Sequence, residues 1–363
     1  MRDVSARDGG GEGGPARPRL PAGWQPHART FLAWPPRWSV WGRYARGAQH
    51  DIGALARAIA EYEPVVVLAR PGEVRAARRG CGGAAEVWPV PVDDLWVRDT
   101  GPVFVAGGGP AVAGGSAGQG ALYGIDLGFN GWGGSQRHRR DRRVARRVLE
   151  RAGVPRVRPG LTAEGGSLET DGEGTLLATE SSLLDPARNP GMTRGDVERE
   201  LKDAFGADTV VWLRGVRGED ITDCHVDALA RFAAPGVVLL SRPARGGDVW
   251  ERVYEQARAA LREATDARGR RLELVELPEA DPRGTGDRGP DFLGSYVNYY
   301  VANGAVLLPR FGDRRADERA ASLLGDLHPG REIRAVTVDT VASGGGGIHC
   351  ATQQQPEARQ PEG

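Results

Sequence analysis

The stretch AQHDIGALARAIAEYEPVVVL, residues 48–68, decides the fold class of this chain. Ile52, Leu55, Ala56 and Ile59 fall three and four residues apart, the spacing that puts side chains on one face of a helix. Val65–Leu68 then forms a short apolar run that suits a buried strand. The same step recurs four more times. An Arg-rich helix near 137–152 precedes a strand near 154–158, and a helix near 193–205 precedes TVVWL at 209–213. A helix near 248–268 precedes LELVEL at 272–277, and one near 314–325 precedes IRAVTV at 333–338. Further strands are PVFV (102–105), TLLAT (175–179), VVLLS (237–241) and AVLLP (305–309). Helical periods alternating with short β-rich runs predict α/β architecture.

A polar cluster follows each helix–strand step. DDLWVRDTGP supplies Asp99, EGGSLE supplies Glu164, and DITDCHVDALARF supplies His225 and Asp227. GSYVNYYVANG supplies Asn298, and GGGGIHCATQQQP at 344–356 supplies Cys350. Any α/β repeat has polar loops, but that alone explains poorly a set made of a thiol, an imidazole and several carboxylates. Five units around an axis would point all five clusters into one central site.

The totals narrow the classes. At 363 residues the chain fits two domains or one large α/β assembly. With 48 basic and 48 acidic residues the formal charge is zero, so overall charge gives no reason to expect nucleic acid or a membrane surface as partner. Three cysteines, Cys81, Cys224 and Cys350, do not make a disulfide scaffold. No apolar run reaches the ~20 residues that span a bilayer. Residues 1–19 are rich in Gly, Pro and Arg with no apolar h-region, and read as a disordered arm rather than a signal peptide. Residues 20–356 read as one catalytic domain and 357–363 as a tail, in a cytoplasmic protein.

Four consecutive glycines, Gly344–Gly347, let backbone approach a ligand closely, and Gly346 and Gly347 would sit nearest a flat cation. Cys350 behind them is a candidate nucleophile. If CHVDALARF is a strand, His225 and Asp227 share a face and Cys224 points away as a packed core thiol. The same alternation sets His349 on the reverse side from Cys350, as a structural residue, and leaves His225 as the partner of the thiol. Most Cys–His sites stabilise an oxyanion, whereas here the surrounding groups are Asp99, Glu164 and Asp227. Carboxylates repel an oxyanion and grip a planar guanidinium bidentately. Attack of Cys350 on a guanidinium carbon follows. Trp96 and Trp132 are placed to cover a face of such a cation, with core packing the competing account, the stronger one for Trp132. A zinc site from Cys224, His225, His349 and Cys350 lacks any C-x-x-C spacing. The basic run SQRHRRDRRVARR reads as a solvated helix face rather than a phosphate site.

WVRDTGP, GFNGWGG, EGGSLETDG, HVDALARF, SYVNYYVANGAVLLP and GGGGIHCATQQQP, in that order across Trp24 to Pro356, resemble the agmatine deiminases and the related bacterial peptidyl-arginine deiminases. These belong to the guanidine-modifying, or pentein, superfamily. The resemblance implies a five-bladed α/β propeller of pseudo-fivefold ββαβ repeats and no metal or organic cofactor. It implies that Cys350 forms an amidino-thioether with loss of ammonia, and that His225 protonates the leaving nitrogen and then activates water. It implies that Asp99 and Asp227 hold the guanidinium, that Glu164 contacts the guanidinium, His225 or both, and that Trp96 lines the pocket. The implied reaction turns agmatine and water into N-carbamoylputrescine and ammonia, a step toward putrescine. Family members commonly associate, so a homo-oligomer is an expectation.

Two departures stand out. Many relatives have Asn-Gly or Asp-Gly before the histidine, where this chain has Asp223 and Cys224. Some carry an acidic residue four positions before it, for the amine of agmatine, where this chain has Ile221; Glu219, Asp220 and Asp223 are the candidates to substitute. Between Asp99 and Arg137 there is no Lys or Arg to receive a substrate carboxylate, which favours agmatine over peptidyl- or free arginine. An amidinotransferase and a non-catalytic guanidinium binder are the more distant alternatives.

Overall fold

The helix expected near 48–62 spans Ala45–Ala60 and buries Ile52, Leu55, Ala56 and Ile59. It hands the chain to Val65–Leu68, a strand buried along its whole length. That strand runs parallel to both its neighbours, His27–Ala33 and Glu86–Trp88, which is why it is written as unbroken apolar sequence. The computed structural model describes residues 18–107, 122–244, 246–281, 285 and 288–358. Most of the expected N-terminal arm (1–17) and of the expected tail (359–363) lies outside the described residues.

Among the described residues the strands form five small sheets of one plan, an antiparallel pair extended by a parallel strand beyond a helix. In the first, Gln353–Pro356 pairs antiparallel with His27–Ala33, so strands from opposite ends of the sequence meet. The second joins Val103–Ala106, Leu122–Ile125 and Arg156–Val157. The third joins Leu168–Thr170, Thr175–Thr179 and Thr209–Leu213. The fourth joins Ala230–Ala234, Val237–Arg242 and Glu273–Pro278, and the fifth Tyr300–Ala302, Ala305–Pro309 and Glu332–Val336. The crossover helices are Val144–Ala152, Arg194–Phe205, Val249–Glu263 and Arg314–Leu327. Arg194–Phe205 opens with a Thr193/Asp196 capping box and stops at Gly206 in the left-handed region, the start and stop signals of an autonomous helix.

Apolar clusters join each sheet to the next. Phe31 and Val66 of the first meet Phe104 of the second; Val105 and Ile125 meet Leu176 of the third; Leu177 and Val211 meet Phe232 and Val238 of the fourth. Leu239 and Leu277 meet Val301 and Val306 of the fifth, and Leu307 of the fifth meets Leu32 and Val65 of the first. Beside that last contact, the buried Glu63 accepts from the Thr30 hydroxyl and from the backbone of Asn303, and faces His27 Nδ1 at 3.1 Å.

Three sequence expectations need correction. The helix near 137–152 is confined to Val144–Ala152, behind a 3-10 turn at Asp141–Arg143. There Asp141 is buried and accepts from the Asp93 backbone at 2.6 Å, which pins the chain before the helix can start. The first unit carries an extra helix and strand, Val74–Gly80 and Glu86–Trp88. And CHVDALARF is not one strand: Val226–Leu229 is a single helical turn, and the strand starts at Ala230. Asp223 and Cys224 both have positive φ, 58° and 67°, which turns the backbone into that helical turn and voids the two-residue alternation.

Candidate active site

The same device recurs before the first strand of every sheet. Single turns at Val97–Thr100, Gly165–Ser167, Val226–Leu229, Tyr296–Asn298 and around 348–351 each lead into a strand with at most two residues between. They carry, in order, Asp99, Glu164 at the turn's start, His225 and Asp227, Asn298, and Cys350. A tight turn at a strand entrance presents its side chain from a rigid base, and the chain builds all five of its polar clusters this way.

Cys350 is half-buried. Asn298 clamps it: Nδ2 donates to Sγ at 3.2 Å, and Oδ1 accepts from the Cys350 backbone N–H at 3.3 Å. Asp227 Oδ2 lies 3.5 Å from Sγ. Asp227 is fully buried, and its Oδ1 has no hydrogen-bond partner among the described residues. His225 is buried beside it, with Nε2 3.3 Å from Glu164 Oε2 and Nδ1 3.7 Å from Asp99 Oδ1. Asp99 is held by Trp132 Nε1–H at 2.9 Å and the Gly166 N–H at 3.0 Å. Gly166 is the floor on which these groups meet. A Cβ there would come within 2.7 Å of His225 Nδ1, 2.8 Å of Asp99 Oδ1 and 3.2 Å of Asp227 Oδ2.

The charges follow from this packing. Burial alone would lower the His225 pKa, but Asp99, Glu164 and Asp227 outweigh it and lift the imidazole to about 9. Burial, offset by His225 and reinforced by Asp99, brings Asp227 up to about 6. Burial also raises Asp99. Glu164 moves the other way: burial opposes ionisation, yet the hydrogen bond with His225 and the guanidinium of Arg188 pull it below its ordinary value. Burial, then Asp227 and Asp99, push the Cys350 thiol well above its ordinary value. The thiol is therefore neutral at rest beside buried carboxylates, and a cation entering the site would favour the thiolate.

The candidates Trp96, Trp132, Asn298, Gly346 and Gly347 fall in or beside this centre. Trp96 is buried against the glycine run, where a Cβ on Gly346 would sit 2.3 Å from its Cζ3. A Cβ on Gly347 would sit 2.5 Å from Asn298 Oδ1, so that glycine lets the thiol-bearing turn close on its clamp. Trp132 packs edge-on against Phe129 and reaches Asp99 through its indole N–H, with its backbone at φ 53°. It holds a carboxylate as well as filling core. Cys224 is a packed core thiol whose pKa burial raises to about 12. His349 departs from expectation. It lies in a turn, not on the reverse of a strand, and its Nδ1 meets Asp227 Oδ2 at 2.7 Å.

Sequence reasoning missed Arg188 altogether. Its fully buried guanidinium donates through Nε to both Glu164 oxygens, at 2.9 and 3.1 Å, through Nη1 to Asp223 at 2.8 Å and through Nη2 to the Thr222 carbonyl at 2.9 Å. It thereby ties Glu164 to the loop that delivers His225. One arginine in a chain so rich in them carries no sequence signal.

A cavity of about 900 Å³ opens over Trp41, Tyr44, Trp96, Trp132 and Gly344, and a second of about 430 Å³ is lined by Cys224, His225, Trp250, Phe292 and Glu279. Ile221 borders both and is 40 % exposed. Of its candidate substitutes, Asp223 is engaged by Arg188 and the Gly218 N–H. Asp220 is engaged by Thr222 and the Cys224 N–H, while Glu219 lines the smaller cavity.

Comparison with known proteins matches residues 19–356 to the model of the Porphyromonas-type peptidyl-arginine deiminases. The chain belongs to this family. Among its relatives, an agmatine deiminase of Pseudomonas aeruginosa is 38 % identical, over 94 % of this chain and 96 % of the relative. One from Medicago truncatula is 34 % identical, over 93 % and 96 %. A solved structure titled as the agmatine deiminase of Enterococcus faecalis catalysing its reaction superposes with a TM-score of 0.83 at 29 % identity, covering 94 % of this chain and 96 % of that one. This peptidyl-arginine deiminase family member thus carries its likeness over nearly its whole length, through every turn that supplies the site.

Proposed function

We propose that this chain hydrolyses agmatine to N-carbamoylputrescine and ammonia, in a route to putrescine, through a covalent intermediate on Cys350. The observation that carries the reading is the arrangement at Asp227. One buried carboxylate oxygen lies 3.5 Å from the thiol, and the other has no partner among the described residues. A guanidinium N–H supplies the missing donor and brings its carbon to Sγ.

Asp99 and Asp227 hold the guanidinium nitrogens, and the positive charge they admit lets the Cys350 thiol release its proton to solvent and stabilises the thiolate. Sγ attacks the guanidinium carbon. His225, protonated at neutral pH, gives its proton to the departing nitrogen, and the C–N bond breaks to release ammonia. The neutral imidazole then takes a proton from water. The resulting hydroxide adds to the amidino-thioether carbon, its remaining proton passes to the released ammonia or to solvent, and the C–S bond breaks to give the ureido product and the thiolate. Glu164, held ionised by Arg188, keeps His225 oriented. Trp96 walls the pocket, and Asn298 with Gly346 and Gly347 seats the nucleophile. No step needs a metal or organic cofactor.

The same reading extends to architecture: a single catalytic domain over residues 20–356, built as a five-bladed α/β propeller. Its support is the repeated sheet plan and the apolar clusters that link each sheet to the next and the fifth back to the first. Five turns at five sheet entrances would then converge on one axis.

Purified protein should release ammonia and a ureido compound from agmatine in equal amounts. A panel of agmatine, free arginine and a peptide ending in arginine tests the far end of the substrate, where Ile221 supplies no charge. Preference for either arginine compound would overturn the agmatine assignment, and no turnover of any guanidine would overturn the reaction class.

A further inference from the structure

His349 immediately precedes the nucleophile and takes no part in the steps above. Its side chain is only 5 % exposed, and its Nδ1 is 2.7 Å from Asp227 Oδ2. An ionised carboxylate can only accept, so the ring nitrogen facing it carries the hydrogen. The residue is fixed from behind. Arg98 Nε donates to the His349 carbonyl at 3.3 Å, and the Arg98 backbone N–H donates to the Cys350 carbonyl at 3.2 Å. Burial, then the charges of Arg231 and Arg98, hold the imidazole well below its ordinary pKa, which makes it a neutral donor rather than a counter-charge.

The consequence lies in the two oxygens of Asp227. Oδ2 is shared between the His349 N–H and the thiol, whereas Oδ1 is buried without a partner among the described residues. Free rotation of the carboxylate would let either oxygen turn toward the thiol or toward the buried arginines. We propose that His349 is a positioning residue whose Nδ1–H fixes Asp227 Oδ2, so that Oδ1 is left facing the substrate guanidinium. One turn then sets both the nucleophile and the angle of the clamp that holds its target. This assignment rests on the reading of Asp227 as a guanidinium-holding group.

Three variants test it: His349→Ala, His349→Gln and His349→Asn. The Asn amide nitrogen falls near the place of imidazole Nδ1, and the Gln amide lies one carbon farther out. The readouts are kcat/KM for agmatine, thermal melting, and the ratio of Cys350 alkylation rates by 2-chloroacetamidine and by iodoacetamide. The amidine needs the clamp and the neutral amide does not. Loss of a donor to a charged group lowers kcat/KM and the alkylation ratio about 10- to 100-fold in the Ala and Gln variants. Asn restores most of both. Equal damage in all three variants, or an unchanged alkylation ratio beside a fallen kcat/KM, overturns the assignment. If the unsubstituted protein prefers the amidine but releases no ammonia from agmatine, the proposed reaction fails while the ratio still decides the role of His349.

Discussion

At the scale of single residues, the site solves a charge problem. Three buried carboxylates surround a thiol, which is an unfavourable place for a thiolate until a cation arrives, and a protonated imidazole is held among them in advance. On the proposed mechanism the free-enzyme pH profile has a definite sign. As pH rises through about 6, Asp227 loses its proton and gains its grip on the guanidinium, so kcat/KM rises. As pH rises through about 9, His225 loses the proton it must donate, so kcat/KM falls. An Asp227→Asn variant should lose the acid limb along with most activity. The raised His225 also contributes stability that is fully present below its ordinary 6.5 and is lost as pH rises through about 9. Arg188→Gln leaves Glu164 buried without its cation and should cost about 3–5 kcal/mol in urea unfolding, with activity falling in the fraction that folds. Cys350 and His225 were legible because thiols and imidazoles are scarce in this sequence, and the carboxylates because each stands in a polar cluster after a helix–strand step. Arg188 and the orientation of His349 were not, since both depend on which distant carboxylate a side chain meets after folding.

At the scale of elements, the long crossover helices and the strands that follow them were legible, and the short turns at the sheet entrances were not. A sixteen-residue amphipathic helix such as Ala45–Ala60 repeats its pattern several times. A four-residue turn such as Val226–Leu229 repeats nothing, and alternation across His225 and Asp227 imitated a strand. What separates the two is backbone conformation at Asp223 and Cys224, where residues other than glycine adopt positive φ. The glycine run is the opposite case, since its meaning is contact rather than conformation. Gly346 stands where a Cβ would meet the Trp96 ring at 2.3 Å. Gly346→Ala must displace that ring from the pocket wall, and we expect about a 100-fold loss in kcat/KM, with destabilisation of about 1–3 kcal/mol. Melting and steady-state kinetics on the same preparation measure both. Retained activity with lowered stability would show that Trp96 is packing alone.

At the scale of the whole molecule, the chain has to bring residue 350 beside residues 99, 164, 225 and 298, and it does so by joining its two extremities. Gln353–Pro356 completes the sheet begun by His27–Ala33, three residues after Cys350. The buried Glu63, with His27, Thr30 and Asn303, locks the first sheet to the fifth. Glu63→Ala strands those donors and should cost about 3–5 kcal/mol of unfolding free energy, while kcat/KM of the folded protein stays near that of the unsubstituted chain. The repeated helix–strand step made the α/β architecture legible from sequence; the pairing of Gln353–Pro356 with His27–Ala33 was not, because antiparallel register across so long a separation leaves no local mark. On the proposed function, all of this structure serves one chemical event at one sulfur. The most direct test is to quench the protein with acid during turnover of agmatine and map its cysteine peptides by mass spectrometry. An amidino adduct on Cys350 is expected, with Cys81 and Cys224 unmodified. Ureido product formed with no adduct on Cys350, or an adduct carried by another residue, would contradict the proposed mechanism.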